Sequence, residues 1–215
     1  MTSTPLLIIA FTLMAAAYIT KQPEKYFGHA LVKAAPIFLL AVVLFFSNSF
    51  QLPSMVKYLL LGSLLFSAAG DIFLALDEDD SLFVWGLGSF FIAHVIYGIN
   101  FLQSTGFQTA AIVPIIIILL LGIVLTTKIW PGLGELRIPV LAYILVSVFM
   151  GVAAAIHAPL NWLLIAGTIV FMLSDSVIAV EKFWRSVPYR DFWVMSTYYL
   201  AQIMIFLALT HEMIV

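Results

Sequence analysis

Long apolar runs separated by short polar connections fill the chain, and few polar residues fall inside the runs. A membrane span needs about 20 mostly apolar residues. Segments of that kind cover Pro5–Ile19, Phe27–Phe46, Met55–Leu76, Leu82–Leu102, Gln108–Thr126, Ile138–Ile156, Leu160–Val180 and Phe192–Leu209. Residues 81–127 are 47 positions without a charged side chain, too many for one helix. Gln103, Ser104, Thr105 and Gly106 supply the break. Pro53, Pro131 and Pro159 mark other connections, and Trp130, Trp162, Trp184 and Trp193 stand near predicted span ends, where aromatic belts form. The pattern predicts an all-α fold: a polytopic membrane bundle of eight transmembrane helices, forming a single integral membrane domain over residues 1–215.

Composition agrees. Only 9% of the 215 residues are charged, against about 25% in soluble domains, and the mean hydropathy is +1.15. The net charge of −2 leaves no basic surface to neutralise phosphates, so nucleic acid is not an expected partner. The absence of cysteine removes disulfides, thiol nucleophiles and thiolate metal sites. The first residues lack the basic region of a signal peptide, so the first apolar run reads as a retained span.

Lys21, Lys25, Lys128, Arg137, Lys182, Arg185 and Arg190 all fall in odd-numbered connections, whereas the other side has only Lys57. By the positive-inside rule the odd connections face the cytoplasm and both termini lie outside it. The expected location is a bacterial inner membrane. The acidic connection Asp77–Asp80 reads as a solvated turn without an EF-hand pattern.

Two polar residues inside the apolar runs stand out. Asp71 lies in Ser67-Ala68-Ala69-Gly70-Asp71-Ile72-Phe73-Leu74-Ala75-Leu76, and Asp175 lies in Phe171-Met172-Leu173-Ser174-Asp175-Ser176-Val177-Ile178-Ala179-Val180, 104 positions later. A carboxylate in hydrocarbon costs roughly 2.5–3.5 kcal/mol on insertion scales, so its presence suggests a task. Each precedes its predicted span end by five residues, about 8 Å, which predicts a common level and a shared site. Two neighbouring carboxylates cannot both ionise easily, so one would serve as acid and the other as base. The structural alternative is an ion pair with Lys33 or Arg137.

Lys33 in the second span would bind a phosphate or hold a carboxylate ionised. His94 and Tyr97 are one helical turn apart, as are Tyr198 and Gln202, and Tyr143 and Tyr199 complete the polar set expected to bind substrate. The same side chains would serve in a structural role as interhelical hydrogen-bonding groups. Adding 104 carries Lys33 to Arg137, Asp71 to Asp175 and His94 to Tyr198, which suggests two parallel four-helix repeats. The four histidines are dispersed, and no metal or other cofactor is expected.

Several motifs stand in order along nearly the whole chain: Lys33 followed by Pro36, Gly70-Asp71, Gly86-Leu87 with Ser89-Phe90, Ala93-His94 with Tyr97, Phe171-Met172-Leu173-Ser174-Asp175-Ser176, and Thr197-Tyr198-Tyr199-Leu200-Ala201-Gln202. Together they resemble the YhhN family of integral membrane proteins. The resemblance implies a lysoplasmalogenase, which cleaves the vinyl ether bond of a lysoplasmalogen. The products are a fatty aldehyde and glycerophosphoethanolamine or glycerophosphocholine. It further implies Asp71 and Asp175 as catalytic residues, and a lysophospholipid and membrane lipids as partners. A transporter of lysolipids or small amphiphiles is the competing expectation, and a hydrolase of another lysolipid is a third.

Overall fold

The computed structural model describes residues 3–21, 28–47, 50, 52–77 and 81–211. Among the described residues eight α-helices succeed one another: α1 (Ser3–Lys21), α2 (His29–Phe46), α3 (Ser54–Leu76), α4 (Phe83–Phe101), α5 (Ile112–Ile129), α6 (Arg137–Ala155), α7 (Trp162–Phe183) and α8 (Arg190–His211). Seven of them, α2 to α8, are long and apolar enough to cross a membrane; the apolar stretch of α1, Pro5–Thr20, is shorter. The all-helical, multi-pass architecture predicted from the apolar runs is therefore present. The expectations for Lys25 and for residues 78–80 of the acidic connection fall outside the described residues.

The chain forms two compact units, Met1–Ile96 with Thr210–Val215, and Tyr97–Leu209. In the first, α2 packs along α3, and α1 packs on α2. Buried Ala30, Lys33, Ala34, Ile37, Leu40, Ala41 and Leu44 recur at helical spacing on one stripe of α2. The stripe of α3 runs through Leu60, Ser63, Leu64, Ser67, Ala68, Gly70 and Asp71. Both polar candidates thus sit on the buried faces of their helices. Pro36 lies inside α2 and cannot donate to the Val32 carbonyl one turn earlier, which loosens the backbone polar groups next to Lys33. Packing between α3 and α4 is close. A Cβ added at Gly70 would lie 2.6 Å from the Phe90 ring, and one at Gly86 would lie 2.6 Å from Leu74.

In the second unit α5, α6 and α7 pack on one another around buried Ala111, Ile118, Ala155 and Met172. Asn161 caps α7 by accepting from the Leu164 amide at 3.0 Å, and its side-chain amide donates to the Ala208 carbonyl on α8. The α4–α5 and α6–α7 connections are joined at one end: the Gly106 amide donates to the Ile156 carbonyl and the Ala158 amide to the Ser104 carbonyl. The predicted break at residues 103–106 is this connection. At the other end, two 3-10 turns (Trp130–Gly132 and Gly134–Leu136) link α5 to α6.

Two helix ends differ from the apolar pattern. Helix α5 runs on to Ile129 because the hydroxyls of Thr126 and Thr127 bond back to the Gly122 and Val124 carbonyls, which lets polar residues stay helical. Helix α7 continues from Val180 to Phe183, and Glu181 and Lys182 ride on its extra turn. Asp175 is therefore eight residues from the end of its helix, although the apolar part still ends at Val180.

Candidate functional site

In the first unit the candidates come from three successive helices. Asp71, on the buried stripe of α3, is only 2% exposed. Gly70 precedes it at the point where the Phe90 ring presses on the α3 backbone. Lys33 is buried on α2, the helix packed along α3. His94 is fully buried on α4, and its Nδ1 lies 2.7 Å from the Phe90 carbonyl one turn earlier. That contact fixes the imidazole ring plane, since the carbonyl can only accept and Nδ1 must carry the proton.

In the second unit four of the candidate residues meet in two pairs. The Tyr143 hydroxyl on α6 donates to Asp175 Oδ2 on α7 at 2.9 Å. The Tyr97 hydroxyl donates to Gln202 Oε1 on α8 at 2.6 Å. Gln202 is fully buried, and its Nε2 has no partner among the described residues, so two amide hydrogens remain available to a ligand. Tyr198 and Tyr199 are buried beside one another on α8, their rings 5.6 Å apart, and Tyr198 meets Phe171 edge-on at 5.4 Å. The Ser174 hydroxyl, next to Asp175, donates to the Val194 carbonyl at 2.9 Å and ties α7 to α8. Asp71 and Asp175 belong to different units. Among the described residues no group of three or more His, Asp or Glu side chains is arranged to hold a metal.

Two hydroxyls were not foreseen. In an apolar helix a serine or threonine usually bonds back to a carbonyl three or four residues earlier, as Ser63, Thr168, Ser176 and Thr197 do. Ser67 and Ser147 are buried yet make no such bond and have no partner among the described residues. Ser67 is one turn before Asp71 on α3, and Ser147 is one turn after Tyr143 on α6, so each shares a face with a candidate polar residue. The spacing of four was visible in the sequence; the missing back-bond was not.

These features define a multi-pass helical membrane protein that keeps carboxylates, phenols and amides on the buried faces of apolar helices. Residues 28–209 match the YhhN family, and the chain belongs to that family. It is 33% identical to the lysoplasmalogenase TMEM86A of Bos taurus over 190 residues, 83% of this chain and 77% of that protein. The human protein of the same name is 32% identical over 83% of this chain and 76% of its own. A lysoplasmalogenase of Mycobacterium tuberculosis is 31% identical over 73% of this chain and 62% of its own. No solved structure matches the chain.

Proposed function

We propose that the protein is a lysoplasmalogenase, a membrane hydrolase of the vinyl ether bond at the first carbon of a lysoplasmalogen's glycerol. Similarity to proteins of that name along most of the chain supports the reading. The observation that carries the chemistry is Asp71, a carboxylate 2% exposed inside an apolar helix, five residues from its end. A carboxyl group inside an apolar span is costly to place there and marks a functional position.

In the proposed reaction an aspartic acid gives its proton to the outer carbon of the vinyl ether. The carbon next to oxygen becomes an oxocarbenium ion, stabilised by the second, ionised carboxylate. Water adds to that carbon and its proton passes to a carboxylate. The resulting hemiacetal collapses: its hydroxyl proton leaves, the carbon–oxygen bond to glycerol breaks, and the glycerol oxygen is protonated. One water is consumed, and a fatty aldehyde and a glycerophospho-alcohol are formed. Asp71 and Asp175 are the two carboxylates. Tyr143 holds Asp175, and Ser67 and Ser147 offer hydroxyls to the water or the glycerol. Lys33, His94, Tyr97, Tyr198, Tyr199 and Gln202 bind the phosphate headgroup and its esters.

The reading includes a bacterial inner membrane with both termini outside the cytoplasm. It is supported by the cations at the α5–α6 and α7–α8 connections, where Lys128, Arg137, Lys182, Arg185 and Arg190 collect. Single cysteines introduced into this cysteine-free chain, tested with an impermeant thiol reagent, check the orientation. Asp71→Asn and Asp175→Asn test the chemistry. Each is expected to fold and to lose aldehyde release by at least about a hundredfold, and near wild-type turnover in either one ends the proposal.

A further inference from the structure

Between α5 and α6 an open groove of about 280 Å³ is lined by Leu119, Gly122, Ile123, Thr126, Ile144 and Val148, among others. Gly122 makes its floor, where a Cβ would come 2.7 Å from a Val148 methyl. The hydroxyls of Thr126 and Thr127 are spent on the backbone, so the lining offers hydrocarbon and no free donor. Ligand pockets for whole molecules run to roughly 300–1,000 Å³. The groove is therefore sized for part of a single chain.

At its end the surface changes character. Arg137, the first residue of α6, is 7 residues before Ile144 and 11 before Val148, on the same face of that helix. Trp130 follows Ile123 and Thr126 at helical spacing on the α5 side. The Arg137 guanidinium lies over the Trp130 ring at 5.3 Å, which orients it while leaving its N–H edge open. Arg137 is exposed and makes no ion pair among the described residues, not even with Glu135 in the same connection. Lys128 lies two residues before Trp130, over the Trp184 ring at 5.4 Å.

We propose that this groove is a binding site for one anionic membrane phospholipid, separate from the catalytic residues. An acyl chain lies between α5 and α6, and the phosphate is held by Arg137. The order of chemistry along the surface, hydrocarbon and then an oriented guanidinium, matches that of a lipid entering from its own leaflet. A second copy of the chain fits less well, because a two-fold contact along this groove would bring the Arg137 and Lys128 cations of both copies together.

The test uses the full-length protein reconstituted in vesicles of equal parts phosphatidylglycerol and phosphatidylcholine with identical chains. The lipid retained per protein is read by native mass spectrometry. The wild type is expected to keep phosphatidylglycerol preferentially. Arg137→Gln should reduce that preference about fivefold, the share of one surface cation, and Arg137→Lys should restore part of it. Ile123→Trp, at an exposed position of the lining, should reduce retention of both lipids. Ile123→Phe takes its place if the larger ring impairs folding. Equal retention of the two lipids by the wild type, an unchanged preference in Arg137→Gln, or a dimer in place of bound lipid would overturn the proposal.

Discussion

Tyr143→Phe isolates one atom of the candidate site. The phenol donates to Asp175 Oδ2 at 2.9 Å, and the substitution removes only that hydroxyl while the buried ring still packs. Two yardsticks bear on its worth. Hydrogen bonds between helices inside membranes average about 0.6 kcal/mol and reach about 1.7, whereas bonds to a charged group are worth about 1.5–3. Asp175 is partly exposed, so solvent screening favours the region where the two ranges meet, near 1.5 kcal/mol. If the reaction depends on the ionised carboxylate held in this orientation, that energy is lost from the transition state. Each 1.36 kcal/mol is a factor of ten in rate. Turnover should therefore fall about tenfold with little change in KM, and the unfolding temperature should drop by about 3–6 °C. The assay is aldehyde release from a lysoplasmalogen, coupled to an aldehyde dehydrogenase. Turnover within about twofold of wild type in a folded variant would refute a role for the Tyr143–Asp175 pair in the chemistry.

Three further outcomes are expected. Tyr97→Phe strips Gln202 Oε1 of its partner, at a cost near 1 kcal/mol, and should lower the unfolding temperature by about 2–4 °C; Gln202→Leu in the same chain should recover part of that loss. Gly70→Ala drives a methyl into the Phe90 ring and should destabilise by about 1–3 kcal/mol, read by thermal unfolding in detergent, with rescue by Phe90→Leu. Lys33→Met should raise KM for a lysoplasmalogen about tenfold and leave kcat nearly unchanged, if this buried cation binds the phosphate; an unchanged KM would remove it from the substrate site.

The helices were legible because lipid and helix impose the same demand on every span, a run of apolar residues with internally satisfied backbone. Where the reading missed, the cause was local hydrogen bonding. Thr126 and Thr127 look like the polar end of a span, yet their hydroxyls fold back onto α5 and carry the helix to Ile129. The polar residues were individually visible for the same reason, being out of place in hydrocarbon. Their pairings were only partly so. Tyr198 and Gln202 share a face by spacing, but that Gln202 answers to Tyr97, 105 positions away, required the packing of α8 against the end of α4. Ser67 and Ser147 give no signal in the sequence, because serine is ordinary in a membrane helix and only the structure shows its usual carbonyl unused.

The seam between α3 and α4 also constrains traffic. At Gly70 and Gly86 side chains of one helix rest directly on the backbone of the other, with Gly62 against Ile96 a little further along. Such a joint is too tight to part for an aliphatic tail without breaking the contacts that define it. A lysolipid drawn from the bilayer cannot slip in there, and any lateral portal has to open elsewhere on the perimeter.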